Sequence, residues 1–151
     1  MSYSAILRRN EAENGMVFET KVAILVLDDL AVWQKLNITA FLATGIADAT
    51  PEAMGELYED AAGRHHARLL GQPMLIFAAT PGQLQRAYQQ SIARDLTRAV
   101  YVRAMFSTGH DAANRAAFRA EPADGPDLVG LAVRGPRKDV DKATKGAALH
   151  S

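Results

Sequence analysis

The segment from Lys21 to Ile46, KVAILVLDDLAVWQKLNITAFLATGI, runs from an apolar stretch through two carboxylates into a helical pattern. Ala23 to Leu27 are apolar at every position, so a strand here needs cover on both faces, as strands in a sheet flanked by helices have. Asp28 and Asp29 then mark the strand's carboxyl end, where α/β proteins usually build their sites. An aspartate at this point, Asp29 first, is also expected to cap the next helix by accepting its free backbone N–H groups.

From Trp33 to Ala47 the spacing predicts a helix with two apolar faces, Trp33, Leu36, Ala40, Ala43 and Ala47 on one and Ile38, Phe41, Leu42 and Ile46 on the other. A helix apolar nearly all round needs cover on more than one side. Deep burial or a homodimer interface is therefore expected for it.

Thr50-Pro51 with Glu52 reads as the start of a short helix carrying Met54, Leu57 and Tyr58. Asp60 to Gly63 reads as a turn, and the segment from His65 to Pro73 as an extended link. Met74 to Ala79 is the second buried strand, and Thr80-Pro81 opens an amphipathic helix with Leu84, Ala87, Tyr88, Ser91 and Ile92 inside. Ala99 to Met105 alternates as a third strand. DAANRAAF suits a short helix, Leu128 to Val133 a fourth strand, Gly135-Pro136 a turn, and Arg137 to about Gly146 a last helix.

Alternating strands and helices predict an α/β fold, a three-layer α/β/α sandwich around a small four-stranded mixed sheet. At 151 residues the chain fits one domain. It reads as an N-terminal arm over residues 1–20, with a short helix and a turn at Asn14-Gly15, and a single α/β domain over 21–151. Cysteine is absent, which excludes thiolate catalysis and cysteine-ligated zinc. With no apolar stretch near the roughly 20 residues of a membrane span and no signal-peptide core, a cytoplasmic, bacterial-type protein is expected. The 17 basic and 17 acidic residues cancel, which argues against a nucleic-acid surface over the whole molecule.

KVAILVLDDL followed by WQKLNITAFLATGI, then AVYVRAM and DLVGLAVRGPRKDVDKATKGAAL, resembles the uncharacterised bacterial domain-of-unknown-function family 2000. That family is similar in fold to peptidyl-tRNA hydrolase type 2. The resemblance covers nearly everything after residue 20, and it implies a peptidyl-tRNA hydrolase-like scaffold. Against the hydrolase pattern, Asp29-Leu30 match, Asp28 replaces a basic residue, and Lys35 echoes a Gly-Lys. Its Arg-Asp-Ala-Gly-x-Thr motif falls on Arg103, Ala104, Met105, Phe106, Ser107 and Thr108, so a methyl group stands where the carboxylate would be.

Asp28, Asp29, Lys35 and Asn37 are expected at the end of the first strand and the first turns of its helix, with Thr108 or His110 nearby. Lys35, Thr108 and Asp29 are the candidate catalytic residues, and Asp28, Asn37, Ser107, His110, Arg134 and Arg137 the candidate ligand-binding ones. Arg134, Arg137 and Lys138 at a helix start would suit an anion. His65-His66 with Asp60 or Glu59 lacks a third ligand at a characteristic spacing, so no metal is expected. With no Walker or dinucleotide glycine pattern, no cofactor is expected either. The preferred expectation is a domain binding a small polar or anionic ligand, forming a homodimer, with tRNA as a possible partner. The alternative is a hydrolase acting on peptidyl-tRNA or another ester.

Overall fold

The computed structural model describes residues 18–151, so the arm's expected short helix and Asn14-Gly15 turn lie outside the described residues. Strand β1 (Thr20–Leu27) is followed by helix α1 (Val32–Ala49), then strands β2 (Tyr58–Glu59), β3 (His65–His66) and β4 (Met74–Ala79). Helix α2 (Pro81–Ala93), strand β5 (Thr97–Val102), helix α3 (Asp111–Arg119), strand β6 (Leu128–Pro136), helix α4 (Arg137–Ala143) and strand β7 (Ala148–Leu149) complete the chain. The result is a mixed α/β fold whose five-stranded sheet runs β5-β6-β1-β4-β7, with β2 and β3 forming a separate hairpin.

The apolar run explains the centre of the sheet. Val22 to Leu27 are all buried, at most 4% exposed, which requires cover on both faces of β1. β1 pairs in parallel with β4, Val22 against Met74 through Leu27 against Ala79, and antiparallel with β6. β5 is antiparallel to β6 and so runs with β1 and β4. The carboxyl ends of those three strands, Leu27, Ala79 and Val102, therefore lie at one end of the sheet.

Helix α1 packs on β1, β5 and β6 through Ile38, Leu42 and Ile46, each 2% exposed or less. Burying each such side chain is worth about 1.5–3 kcal/mol. The approach is close because Gly130 has no side chain: a Cβ there would lie 2.3 Å from Ile38 Cγ2 and 3.0 Å from Leu42 Cδ1. The opposite side of α1 is open, with Trp33 62% and Leu36 65% exposed, so the helix is not deeply buried.

Helix α2 starts as its sequence specifies. Thr80 Oγ1 accepts from the Gln83 backbone N–H at 3.2 Å, and Gln83 Oε1 accepts from the Thr80 N–H at 2.9 Å. That reciprocal pair is a capping box. Ile92, expected inside, is half exposed, while Leu96 beyond the helix end is buried instead.

Several expectations are corrected. The sheet has five strands, not four, because the last helix stops at Ala143 and Gly146, at φ +90°, turns the chain so that Ala148 and Leu149 pair with β4. Gly135-Pro136 is no turn: both residues extend β6, opposite Lys21 and Thr20. The third strand ends at Val102, and Arg103–Ser107 coil into a 3-10 turn. After Thr50 only a 3-10 turn, Pro51–Ala53, forms, since the Thr50 hydroxyl donates back to Ile46 O and caps nothing ahead of it. Nor does an aspartate cap α1: Ala31 is the N-cap, and its N–H donates to Gln34 Oε1 at 3.0 Å.

Candidate functional site

Two cavities flank α1, and they divide the expected site residues between them. The larger, about 590 Å³, is enclosed by α1, β5, the Arg103–Ser107 turn and α3. Asn37, Thr108 and His110 line it. The smaller, about 520 Å³, lies on the other flank of α1 toward β4 and is lined by Lys35. Lys35 and Thr108 thus share no cavity, and neither Asp28, Asp29 nor Ser107 lines either one.

The walls of the larger cavity are aromatic. Trp33 meets Phe106 edge-on at 5.9 Å between ring centroids, Phe106 meets Tyr101 at 5.3 Å, and Tyr101 meets Phe41 at 6.2 Å. Such pairs contribute about 0.5–1.5 kcal/mol each beyond their burial. Tyr101 is 5% exposed, so its hydroxyl needs a partner, and Asn37 Nδ2 donates to it at 3.3 Å. That bond directs one amide group and leaves Asn37 Oδ1 as an acceptor.

On the facing side, the Thr108 hydroxyl has one hydrogen for two acceptors, Met105 O at 2.9 Å and Asn114 Oδ1. Asn114 keeps its amide hydrogens for another acceptor. His110 is the N-cap of α3: its Nδ1 accepts from the Ala113 N–H at 3.2 Å, so Nε2 carries the proton of the neutral ring. Of the charges on α3, Asp111 pairs with Arg115 one turn on.

Elsewhere the geometry is structural. Arg134, 15% exposed, reaches Gln72 Oε1 at 3.0 Å, Thr20 Oγ1 at 3.3 Å and Glu52 at 3.6 Å. Arg137 Nε donates to Phe18 O at 3.2 Å. Both arginines sit beside the start of β1, at the opposite end of the sheet from Asp28 and Asp29, because β6 runs antiparallel to β1. In the hairpin, His66 Nε2 lies 3.1 Å from Asp60 Oδ2 and His65 Nε2 3.9 Å from Glu59. The His66 contact first, then the Arg64 and Ala62 backbone N–H groups and the Arg64 side chain, hold the Asp60 carboxyl down at about 2. Among the described residues no group of three or more His, Cys, Asp or Glu side chains could hold a metal ion.

Three site residues carried no sequence signal that singled them out. Tyr101 read only as a strand residue and Asn114 as part of a short helix, and His150 lies beyond the last expected helix. Asn114 stands four residues after His110, a helical spacing that aims both along one face.

The comparisons with known proteins agree with this architecture. Residues 20–151 match the family described as Protein of unknown function (DUF2000), and the chain belongs to that family. It is also similar to a solved protein of unknown function from Agrobacterium tumefaciens strain C58, with 49% sequence identity and a TM-score of 0.86, over 89% of this chain and 100% of that one. No curated protein matches the chain. No helix among the described residues is long and apolar enough to cross a membrane.

Proposed function

We propose that this chain is a binding domain for a small, planar, uncharged polar ligand that carries an amide or lactam group, held in the cavity between α1, β5 and α3. The carrying observation is the pair of amides, Asn37 and Asn114, in one cavity with aromatic walls. Asn37 has an acceptor to spare and Asn114 a donor, the complement of an amide edge. The volume lies within the roughly 300–1,000 Å³ of small-molecule sites, and aromatic walls suit a flat ligand. Because Asp111 and Arg115 neutralise each other and Arg134 and Arg137 lie at the far end of the sheet, an uncharged ligand is favoured over an anion and over tRNA.

The scaffold belongs to the same reading. We take α1 on one side and α2 with α4 on the other as outer layers of a three-layer domain over residues 21–151, of the peptidyl-tRNA hydrolase type 2 kind; the buried β1 supports this. Hydrolysis is disfavoured by the division of the site. Lys35 is in the other cavity, and the Thr108 hydroxyl is engaged by Met105 O and Asn114 Oδ1. The outer positions Ala40, Ala43 and Ala47 support a homodimer through α1 that leaves Leu36 uncovered, in a cytoplasmic protein.

Trp33 is the single tryptophan and lines the cavity, so its fluorescence reports occupancy. Titration with benzamide should give a saturable change in emission, weakened about 2- to 12-fold by Asn37→Leu or Asn114→Leu, the range of one net hydrogen bond. Benzoate should bind more weakly. A response that both variants leave intact, or none at all, refutes the assignment.

A further inference from the structure

We propose a second binding site, independent of the first, in which the groove on the β4 flank of α1 takes a monocarboxylate with an aliphatic tail and Lys35 holds the carboxylate. Its walls are Val26, Val32, Leu36 and Ile76, and its polar residues are Lys35, Thr39, His150 and Ser151. Val32 and Leu36 are 72% and 65% exposed, an apolar lip among the described residues, whereas the Lys35 side chain is drawn in to 17% exposure. A cation beside the apolar side chains of Val26, Val32, Leu36 and Ile76 matches a ligand with one negative charge and a greasy remainder.

The surroundings of the ammonium sharpen this. Lys35 Nζ lies 3.1 Å from His150 Nε2 and 3.3 Å from Asp28 Oδ1. His150 Nδ1 lies 2.9 Å from Ser151 O, and since a carbonyl only accepts, Nδ1 carries the proton and Nε2 accepts from the lysine. The imidazole therefore steers the ammonium by accepting from it. Asp28 is 70% exposed and outside the groove, so it holds the lysine as a solvent-screened surface partner. A carboxylate entering the groove can take its place. Lys35 is the single Lys or Arg among the described lining residues, which favours a monocarboxylate over a phosphate dianion or a dicarboxylate.

Calorimetric titration with octanoate, with octan-1-ol as the uncharged comparison, tests the site. Octanoate should bind at least tenfold more tightly than octanol, and each methylene from hexanoate to octanoate should tighten binding about fourfold. Lys35→Met should reduce octanoate to the level of octanol, while Lys35→Arg keeps most of the affinity. Asp28→Asn, which removes the competing carboxylate, should tighten binding several-fold, and the imidazole resonances of His150 should shift on saturation. Asn37→Leu, on the other flank of α1, should leave octanoate binding unchanged, so failure here and failure of the amide-binding cavity are told apart. Equal binding of octanoate and octanol, no binding of either, or full octanoate affinity in Lys35→Met overturns the proposal. So does a dimer that covers Leu36 and excludes octanoate.

Discussion

Placing one methyl group on Gly130 tests how the sheet and the amide-bearing helix fit together. The new Cβ would sit 2.3 Å from Ile38 Cγ2, about 1.2 Å inside ordinary carbon contact near 3.5 Å, and 3.0 Å from Leu42 Cδ1. Ile38 and Leu42 are 0% and 2% exposed, so neither can swing into solvent. Either Ile38 leaves its rotamer or α1 lifts off β6, and overpacking of this kind costs about 1–3 kcal/mol. Ile38→Ala alone should cost about 2–5 kcal/mol by leaving a cavity. In the double variant the added methyl occupies part of the vacated space, so the combined loss should fall short of the sum by about 1–2 kcal/mol. Urea denaturation with linear extrapolation measures all three, and a lifted α1 should also draw Asn37 away from Tyr101 and shift native Trp33 emission. A Gly130→Ala loss under about 0.5 kcal/mol, or strict additivity in the double variant, would refute the packing argument.

Two further outcomes are expected. Thr80→Ala should cost about 1 kcal/mol by breaking the capping box of α2, lowering the thermal midpoint by about 2–4 °C, and Thr80→Ser should restore most of it. Asp60, held at about 2 against an ordinary 3.8, should stay ionised near pH 3 in a carboxyl titration by NMR. Because its folded pKa is lowered, the stabilisation it gives the hairpin is fully present above about 3.8 and is lost as pH falls through about 2. Replacing His66 by alanine should move the titration upward; an unmoved midpoint would contradict the assigned cause.

What could be read from the sequence was what repeats over several residues. Met74 to Ala79 forms the expected strand residue for residue, and the Thr80-Pro81 start of α2 follows from local capping chemistry alone. Strands of two residues, such as Ala148–Leu149, carry no period and exist only because β4 offers an unpaired edge. Pro136 looked like a turn because proline cannot donate, yet it is tolerated as the last residue of β6. For the site, sequence proximity misled. Lys35 and Asn37 are two positions apart on a helix, which turns their side chains roughly 200° from each other, so one faces each cavity. Tyr101 could not be paired with Asn37 from sequence, since only the packing of α1 on β5 brings them together.

The short terminal strand has a mechanical consequence. Gln83 donates to Gly146 O at 2.8 Å and Arg86 to Lys145 O at 2.5 Å, so α2 grips the turn from which β7 departs. The strand then advances only two residues, and His150 donates its backbone N–H to Ile76 O at 2.9 Å before its ring meets Lys35. Chain length between grip and ring acts as a ruler. A single residue inserted after Gly146 would reverse the alternation of side chains, swinging the imidazole through to the other side of the sheet and leaving the lysine without that acceptor.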